Sequence, residues 1–166
     1  MKAIITKKYG PPDILELKEV EKPFPKDNQV LVRVHAASLN YGNLVLLKGK
    51  PFLARFAFGL LKPKYSIPGG DIAGQVEAVG KDVTQFQIGD EVFGDLSSCG
   101  WGGFAEYVCV PAHALALKPS NLSYEEAAAV PMAGATALQG LRDKGNIQPG
   151  QKVLINGASG GVGTFA

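Results

Sequence analysis

The sequence predicts a mainly β domain with the character of a barrel, followed by helices and the opening of an α/β domain. Short apolar or alternating segments, separated by glycine and proline turns, fill residues 1–125 and are typical of small barrels. The stronger helix signals come after them, in residues 126–166, where an apolar run also leads directly into a glycine-rich loop. That order of apolar run, glycine loop and helix start is typical of the first unit of a parallel α/β sheet.

Composition excludes several classes of function. Of 166 residues, 46% are hydrophobic and 19% are charged, which is ordinary for a globular protein with one core. The net charge of +2 contains no dense basic cluster, so we expect no nucleic-acid partner. Two cysteines are too few for a disulfide scaffold or for a four-ligand metal site. No signal-peptide pattern and no run of ~18 apolar residues occurs, so we expect a cytoplasmic protein without a membrane span.

Seven short segments are predicted as strands. The alternation of apolar and polar residues is clearest at 30–37, and the same period at 15–18 predicts a half-buried strand. The segment 104–110 is apolar on both faces, so we expect it at the centre of the sheet. The predicted strands are 2–6, 15–18, 30–37, 72–79, 91–93, 104–110 and 115–117.

Two helical regions are predicted. Asn43 is a candidate cap for a short helix over 44–48, which Gly49 ends. Further along, Ser123 and Glu126 have the spacing of a capping box at the start of one helix, which Pro131 interrupts, and a second helix is expected over 132–144.

An apolar stretch at residues 51–67 has two interpretations. It can be a helical turn folded onto the core, or the wall of an apolar substrate pocket. If its side chains are left exposed, a binding surface is favoured.

The glycine loop near the end of the sequence is a candidate phosphate-binding site. Residues 158–163 match G-x-G-x-x-G with alanine in the first position, after a strand predicted at 152–156. Helix N–H groups at such a loop face a pyrophosphate, and the alternative is a tight glycine turn without a ligand. The predicted cofactor-binding residues are Ala158, Ser159, Gly160, Gly161, Val162 and Gly163.

These segments together resemble the medium-chain dehydrogenase/reductase superfamily, and within it the zinc-independent quinone-oxidoreductase-like branch. The resemblance runs in order along nearly the whole chain, and it implies a GroES-like, partly open β-barrel followed by the first βα element of a Rossmann domain. The matching segments are 10–12, 34–40, 69–74, 79–80, 89–92, 103–107, 133–137 and the glycine loop.

The resemblance also bears on metal binding. Zinc-dependent relatives have Cys where this chain has Asn40, His and Glu where it has Gly70 and Asp71, and Cys where it has Met132. Catalytic zinc needs three protein ligands, which this set does not supply. The four-cysteine lobe for structural zinc is also missing, so no zinc is expected.

Without zinc, the resemblance implies hydride transfer from NADPH, with NADH the alternative, to a quinone or an activated alkene. It places Asn40 beside the nicotinamide and Thr136 at its carboxamide end. Asn40 can instead be a strand-end turn residue, and Thr136 can be a helical threonine bonded to its own backbone. Tyr41 is a candidate proton donor or stacking residue, or simply a packed aromatic. The predicted catalytic residues are therefore Asn40, Tyr41 and Thr136.

Other interpretations stay open. An alcohol dehydrogenase-like protein or an enoyl-thioester reductase of the same superfamily is the alternative enzyme, and a cofactor-sensing or interaction module is the non-enzymatic one. The sequence contains only the start of a Rossmann unit, so we expect residues 1–166 alone to be inactive and to bind dinucleotide poorly. The unpaired strand and the helix at 132–144 are expected to be mobile or to bury against another copy, and a homodimer is expected of the full-length protein.

Overall fold

A computed structural model describes all 166 residues and shows a mainly β fold with an open sheet. Five antiparallel strands form the main sheet in the order β6-β3-β4-β5-β7, and β1 and β2 form a separate pair. The sheet does not close into a barrel, which agrees with the predicted partly open form. The strands are β1 Lys2–Ile5, β2 Glu16–Glu19, β3 Gln29–Ser38, β4 Asp71–Val79, β5 Glu91–Asp95, β6 Tyr107–Pro111 and β7 Leu115–Leu117.

All seven predicted strands are confirmed, but two details were wrong. The segment 104–110 was expected at the centre, yet β6 is an edge strand. Residues 104–106 are covered by β1 instead, through the bridge between Ala3 and Ala105 and the bond from the Ile4 N–H to the Phe104 carbonyl. β2 was expected to be half-buried, but its four residues are exposed.

The core lies on one face of the main sheet, and a helix covers part of the other. Alternating residues of the strands point to the first face because successive side chains of a strand alternate. On the second face, Ala127 and Ala128 pack against Ala73. The ten buried core residues are Val30, Val32, Ile72, Val76, Phe86, Val92, Leu96, Val108, Val110 and Leu115.

Helix α1, Tyr41–Lys48, starts earlier than predicted. Its N-cap is Asn40, which has extended backbone angles, whereas Asn43 is buried inside the helix. Gly49 ends the helix with a φ of 57°, as expected for a left-handed C-terminal glycine. The next helix, α2 Arg55–Phe58, is a single turn within the apolar stretch.

The helices after residue 120 follow their local signals. The capping box of α3, Tyr124–Ala129, is confirmed, because the Ser123 hydroxyl and the Glu126 carboxylate each accept the other residue's backbone N–H. The helix expected over 132–144 is present as α4, Pro131–Leu138, which continues into a π-helical segment, Gln139–Lys144.

Substituting Ser123 by alanine is expected to lower the free energy of unfolding by about 1 kcal/mol, since it removes the acceptor of the Glu126 N–H. Urea denaturation of the variant measures this loss. Ser120→Ala is the matched control, because that exposed serine makes no side-chain hydrogen bond. Equal stabilities of the two variants would contradict the capping role.

The strand predicted at 152–156 does not form. This segment has no regular structure and Leu154 is 96% exposed, because a lone parallel strand has no neighbour to accept its hydrogen bonds. The helix start after the glycine loop is present as α5, Gly161–Phe165, which packs on α4. None of the helices has the length and apolar character required to cross a bilayer.

Candidate functional site

Asp71 is the point at which three separate segments of the chain meet. It is the first residue of β4 and is only 1% exposed. Its carboxylate accepts the Ser38 hydroxyl at 3.2 Å, the Asn40 Nδ2 at 3.4 Å and the backbone N–H of Met132 at 3.2 and 3.3 Å. The end of β3, the start of α1 and the start of α4 are thereby joined through one side chain.

The contact with Met132 supplies a cap for α4. The first N–H groups of a helix have no partner inside it, and Pro131 at the first position removes one of them. The N–H of Met132 is the next, and the negative carboxylate of Asp71 accepts it. An acid near a helix N-terminus also interacts favourably with the helix dipole.

In the side-chain amide of Asn40, Nδ2 donates a hydrogen bond and Oδ1 accepts none. Asn40 is the N-cap of α1, but its side chain makes no capping bond because Nδ2 is directed at Asp71. The Oδ1 atom is buried and has no hydrogen-bond partner. A Cβ at Gly42 would lie 3.1 Å from this oxygen, so the glycine leaves room for it. Both amide atoms of Asn43 and Nε1 of Trp101 are likewise buried without partners, so the polar side chains around α1 are incompletely satisfied.

Burial raises the pKa of Asp71 to about 6, and the negative charge of Asp95 adds to the effect. Asp95 is the direct cross-strand neighbour of Asp71 on β5, where like charges destabilise each other. The hydrogen bonds from Met132, Ser38 and Asn40 lower the pKa of Asp71, but they only partly offset its burial.

Trp101 covers the inner side of the site. It is 4% exposed, its φ is 60°, and its ring packs edge-on against Phe58 at 6.0 Å. Added Cβ atoms at Gly42 and Gly70 would meet this ring at 3.3 and 3.2 Å. The two glycines therefore let a large aromatic ring lie directly against the backbone at the site.

The positions equivalent to zinc ligands do lie together, but their side chains do not fit the metal. Asn40, Asp71 and Met132 offer one amide, one carboxylate and one thioether, whereas catalytic zinc takes three ligands from His, Cys and carboxylates. A Cβ at Gly70 would lie 2.9 Å from Met132 Cε, so these side chains already fill the space that a histidine there requires. No group of three or more His, Cys, Asp or Glu side chains is arranged so that it could hold a metal ion.

Tyr41 and Thr136 each lie close in sequence to a residue of this site, Tyr41 to Asn40 and Thr136 to Met132. Thr136 is one turn after Met132 on α4, and its exposed hydroxyl donates to the Met132 carbonyl at 2.6 Å. Thr136 is therefore bonded to its own helix backbone, which was one of its two predicted roles. Its hydroxyl oxygen can still accept a further hydrogen bond. Tyr41 follows Asn40 and is 76% exposed, so it is not a packed aromatic.

In the glycine loop, the first turn of α5 packs closely against the residues that precede it. Gly160 is the N-cap of α5. A Cβ on Gly163 would lie 2.4 Å from the Gly157 carbonyl oxygen, so only glycine allows this approach. The loop packs on α4, where a Cβ on Gly161 would be 3.7 Å from Ala133. Residues 157–162 are exposed to solvent.

A separate cavity of about 830 Å³ lies on another face of α4. It is bounded by β5, β7, the π-helical segment and Phe165, and none of the predicted catalytic residues lines it. On α4 its lining residues are Pro131, Gly134, Ala135 and Leu138, whereas Met132 and Thr136 face elsewhere.

The central residue of the site was not predicted from the sequence. Asp71 was considered only as a poor zinc ligand, and the roles of Ser38, Trp101 and Gly42 were not recognised. The available signal was an acidic residue that follows two glycines and begins a strand whose first four residues are buried. An acid at such a position needs hydrogen-bond donors from other segments.

Comparisons with known proteins agree with this architecture. The family model of the alcohol dehydrogenase GroES-like domain matches residues 26–120. Human quinone oxidoreductase is 36% identical over 100% of this chain and 48% of its own length. The 2-methylene-furan-3-one reductase of tomato (Solanum lycopersicum) is 40% identical over 99% of this chain and 42% of its own length.

Solved structures show the same match. The quinone oxidoreductase of Coxiella burnetii superimposes with a TM-score of 0.88 and 38% identity over 99% of this chain and 51% of that one. The chain thus spans about half the length of the curated relatives it matches. The family model covers more than half of the chain, and the resemblance inferred from the sequence is confirmed. The chain therefore belongs to the alcohol dehydrogenase GroES-like domain family of the medium-chain dehydrogenase/reductase superfamily.

Proposed function

We propose that this chain forms the substrate side and the first part of the cofactor site of a zinc-independent oxidoreductase, which transfers a hydride from NADPH to a quinone or an activated alkene. The observation that carries the proposal is that Asn40 and Met132 meet at the Asp71 carboxylate, where zinc-dependent relatives have metal ligands, and present an amide and a thioether there. The amide of Asn40 is held by Asp71 and lies next to the exposed phenol of Tyr41, which suits the nicotinamide end of a cofactor.

The relatives support the type of reaction. Two of them are named quinone oxidoreductases, a third is named for the reduction of an activated alkene, and the solved quinone oxidoreductase of Escherichia coli is complexed with NADPH. NADPH, when bound, supplies the hydride, and NADH remains the alternative.

The residues of this chain have distinct roles in the proposal. Asn40 lies beside the nicotinamide end and orients it, and Thr136 lies one helical turn beyond Met132 with an oxygen that can still accept. Tyr41 offers an exposed phenol next to Asn40, where it can contact the acceptor. The loop over 158–163 holds the pyrophosphate, since its N–H groups at the start of α5 are accessible.

Zinc independence is part of the proposal. The amide, the thioether and the missing side chain at Gly70 leave Asp71 as the only ordinary zinc ligand among the four equivalent positions. The side chains around Gly70 already fill the space beside it. We further propose that the full-length protein is a cytoplasmic homodimer.

The test measures oxidation of NADPH by the natural full-length protein with a small quinone or an enone as acceptor. Turnover is expected, and a metal chelator should leave its rate unchanged. Asn40→Ala is expected to lower kcat/KM by about ten-fold, the value of one or two neutral hydrogen bonds. Asn28→Ala, in an exposed loop, is the matched control and should keep the full rate.

Three results would contradict the proposal. Absence of turnover with every quinone and enone would reject the reaction, and tight NADPH binding without turnover would favour a sensing module. Loss of activity on chelation, restored by zinc, would reject zinc independence.

A further inference from the structure

The segment from Lys48 to Lys64 presents an unusually apolar surface to solvent. Five large apolar side chains lie within ten residues and are 50–90% exposed. A patch of this kind on a protein surface marks a site of interaction rather than ordinary exposure. We call it the 48–64 surface, and its exposed apolar residues are Phe52, Leu53, Phe56, Leu60 and Leu61.

The 48–64 surface is held in place by contacts on its inward side. The Arg55 guanidinium lies 4.5 Å from the centre of the Tyr9 ring, and its Nε donates to the Gly49 carbonyl at 3.1 Å. The Tyr9 hydroxyl donates to the Gly59 carbonyl, and Phe58 packs on the buried Trp101. These contacts involve the inward side of the segment, and the five apolar side chains on its outward side remain exposed.

Charge on this part of the chain is of one sign. Residues 28–70 contain six basic and no acidic residues, whereas the remainder contains eleven basic and fifteen acidic ones. Four exposed lysines and the partly buried Arg55 lie within the 48–64 surface, and none of the five pairs with a carboxylate. The four lysines are Lys48, Lys50, Lys62 and Lys64.

We propose that the 48–64 surface docks the protein on an anionic lipid bilayer as a peripheral contact. Apolar side chains flanked by unpaired lysines match the boundary between acyl chains and negative headgroups, because the rings and leucines enter the boundary while the cations stay at the headgroups. A second copy of the chain would bring the same positive charges together, and the charge repulsion opposes that arrangement. The inference is independent of the proposed oxidoreductase activity.

Cosedimentation of the natural full-length protein with vesicles tests the proposal. Binding is expected to vesicles of phosphatidylcholine mixed with phosphatidylserine and not to phosphatidylcholine alone, and added salt should weaken it. The double variant Lys62→Gln/Lys64→Gln is expected to bind about 25-fold more weakly, at roughly five-fold per cation. The double variant Leu53→Ser/Leu61→Ser should lose at least about ten-fold.

Matched controls come from exposed residues outside the surface. Lys26→Gln and Leu17→Ser remove one cation and one exposed leucine and should bind like the wild type. Circular dichroism of all variants checks that the fold is kept, which is expected because the four substituted residues of the surface are exposed.

The proposal is overturned if the chain binds neither kind of vesicle, or binds both equally. It is also overturned if the serine variants bind as the wild type does. Sedimentation equilibrium adds a further outcome: self-association that Leu53→Ser/Leu61→Ser abolishes, without lipid binding, would assign the surface to a second copy instead.

Discussion

Replacing Asp71 by asparagine is expected to raise the free energy of unfolding at pH 7 by roughly 1–3 kcal/mol and to leave it unchanged at pH 4. The pKa of this buried carboxyl is about 6, against an ordinary value of 3.8. Between these two values the folded protein holds a proton that the unfolded chain has released. The contribution of Asp71 to stability is therefore fully present below pH 3.8 and is lost as the pH rises through about 6.

Denaturant unfolding of wild type and Asp71→Asn across this pH range measures the effect. The difference between their free energies of unfolding should grow as the pH rises. Asp82→Asn is the control for an exposed carboxylate and should show no such growth. Asp71→Ala should behave differently from Asp71→Asn and lose about 2–4 kcal/mol, since it leaves the Met132 N–H without an acceptor and opens a cavity. A constant difference between wild type and Asp71→Asn at all pH values would show that the carboxyl is not perturbed.

Gly69→Ala is expected to lower the free energy of unfolding by about 3 kcal/mol or more, for two separate reasons. Its φ of 103° is unfavourable for any residue with a Cβ, which costs about 1–2 kcal/mol. In addition, the Cβ would lie 2.4 Å from the Phe104 backbone nitrogen and 2.7 Å from Gly103. The loop that carries Trp101 is bonded here, from the Gly103 N–H to the Gly69 carbonyl, so it has to move away from the site.

Gly89→Ala separates the cost of the backbone angle from the cost of the steric contact. Gly89 has a similar φ of 96°, but a Cβ there would meet no atom within 4 Å. It should therefore show the cost of the backbone angle alone, and its melting temperature should lie clearly above that of Gly69→Ala. Equal losses in the two variants would mean that the contact with residues 103–104 contributes nothing. A change in Trp101 fluorescence is expected only for Gly69→Ala.

The parts of the fold with local causes could be predicted from sequence. β3 was found from alternation, and the cap of α3 from the spacing of Ser123 and Glu126, because both signals lie within a few residues. The prediction of a strand at 152–156 was wrong, because a buried parallel strand forms only beside neighbouring strands, which its own sequence does not contain. The position of β6 was wrong for a related reason: an apolar segment shows that it is covered, but not whether β1 or another strand of the sheet covers it.

The candidate site was predicted in part. The resemblance directed attention to Asn40, Met132 and Thr136, and the structure brings Asn40 and Met132 to the same carboxylate. The importance of Asp71 could not be read from spacing, because its donors come from segments 31 to 61 positions away. Asn43 was mistaken for the cap of α1 because both asparagines fit that role locally, and only tertiary contacts distinguish them.

The position of β3 between β4 and β6 has a consequence for how the protein is made. Val30 pairs with Val79 on one side and with Val110 on the other, so the second partner is about eighty residues away in sequence. Strand pairs between residues this far apart in sequence form slowly, and mixed or β-rich domains of this kind fold in milliseconds to seconds. On the ribosome, one edge of β3 stays open until residue 111 has been added. An apolar strand with an open edge can pair with other nascent chains, so synthesis of this protein is expected to depend on chaperones that cover β3 during that interval.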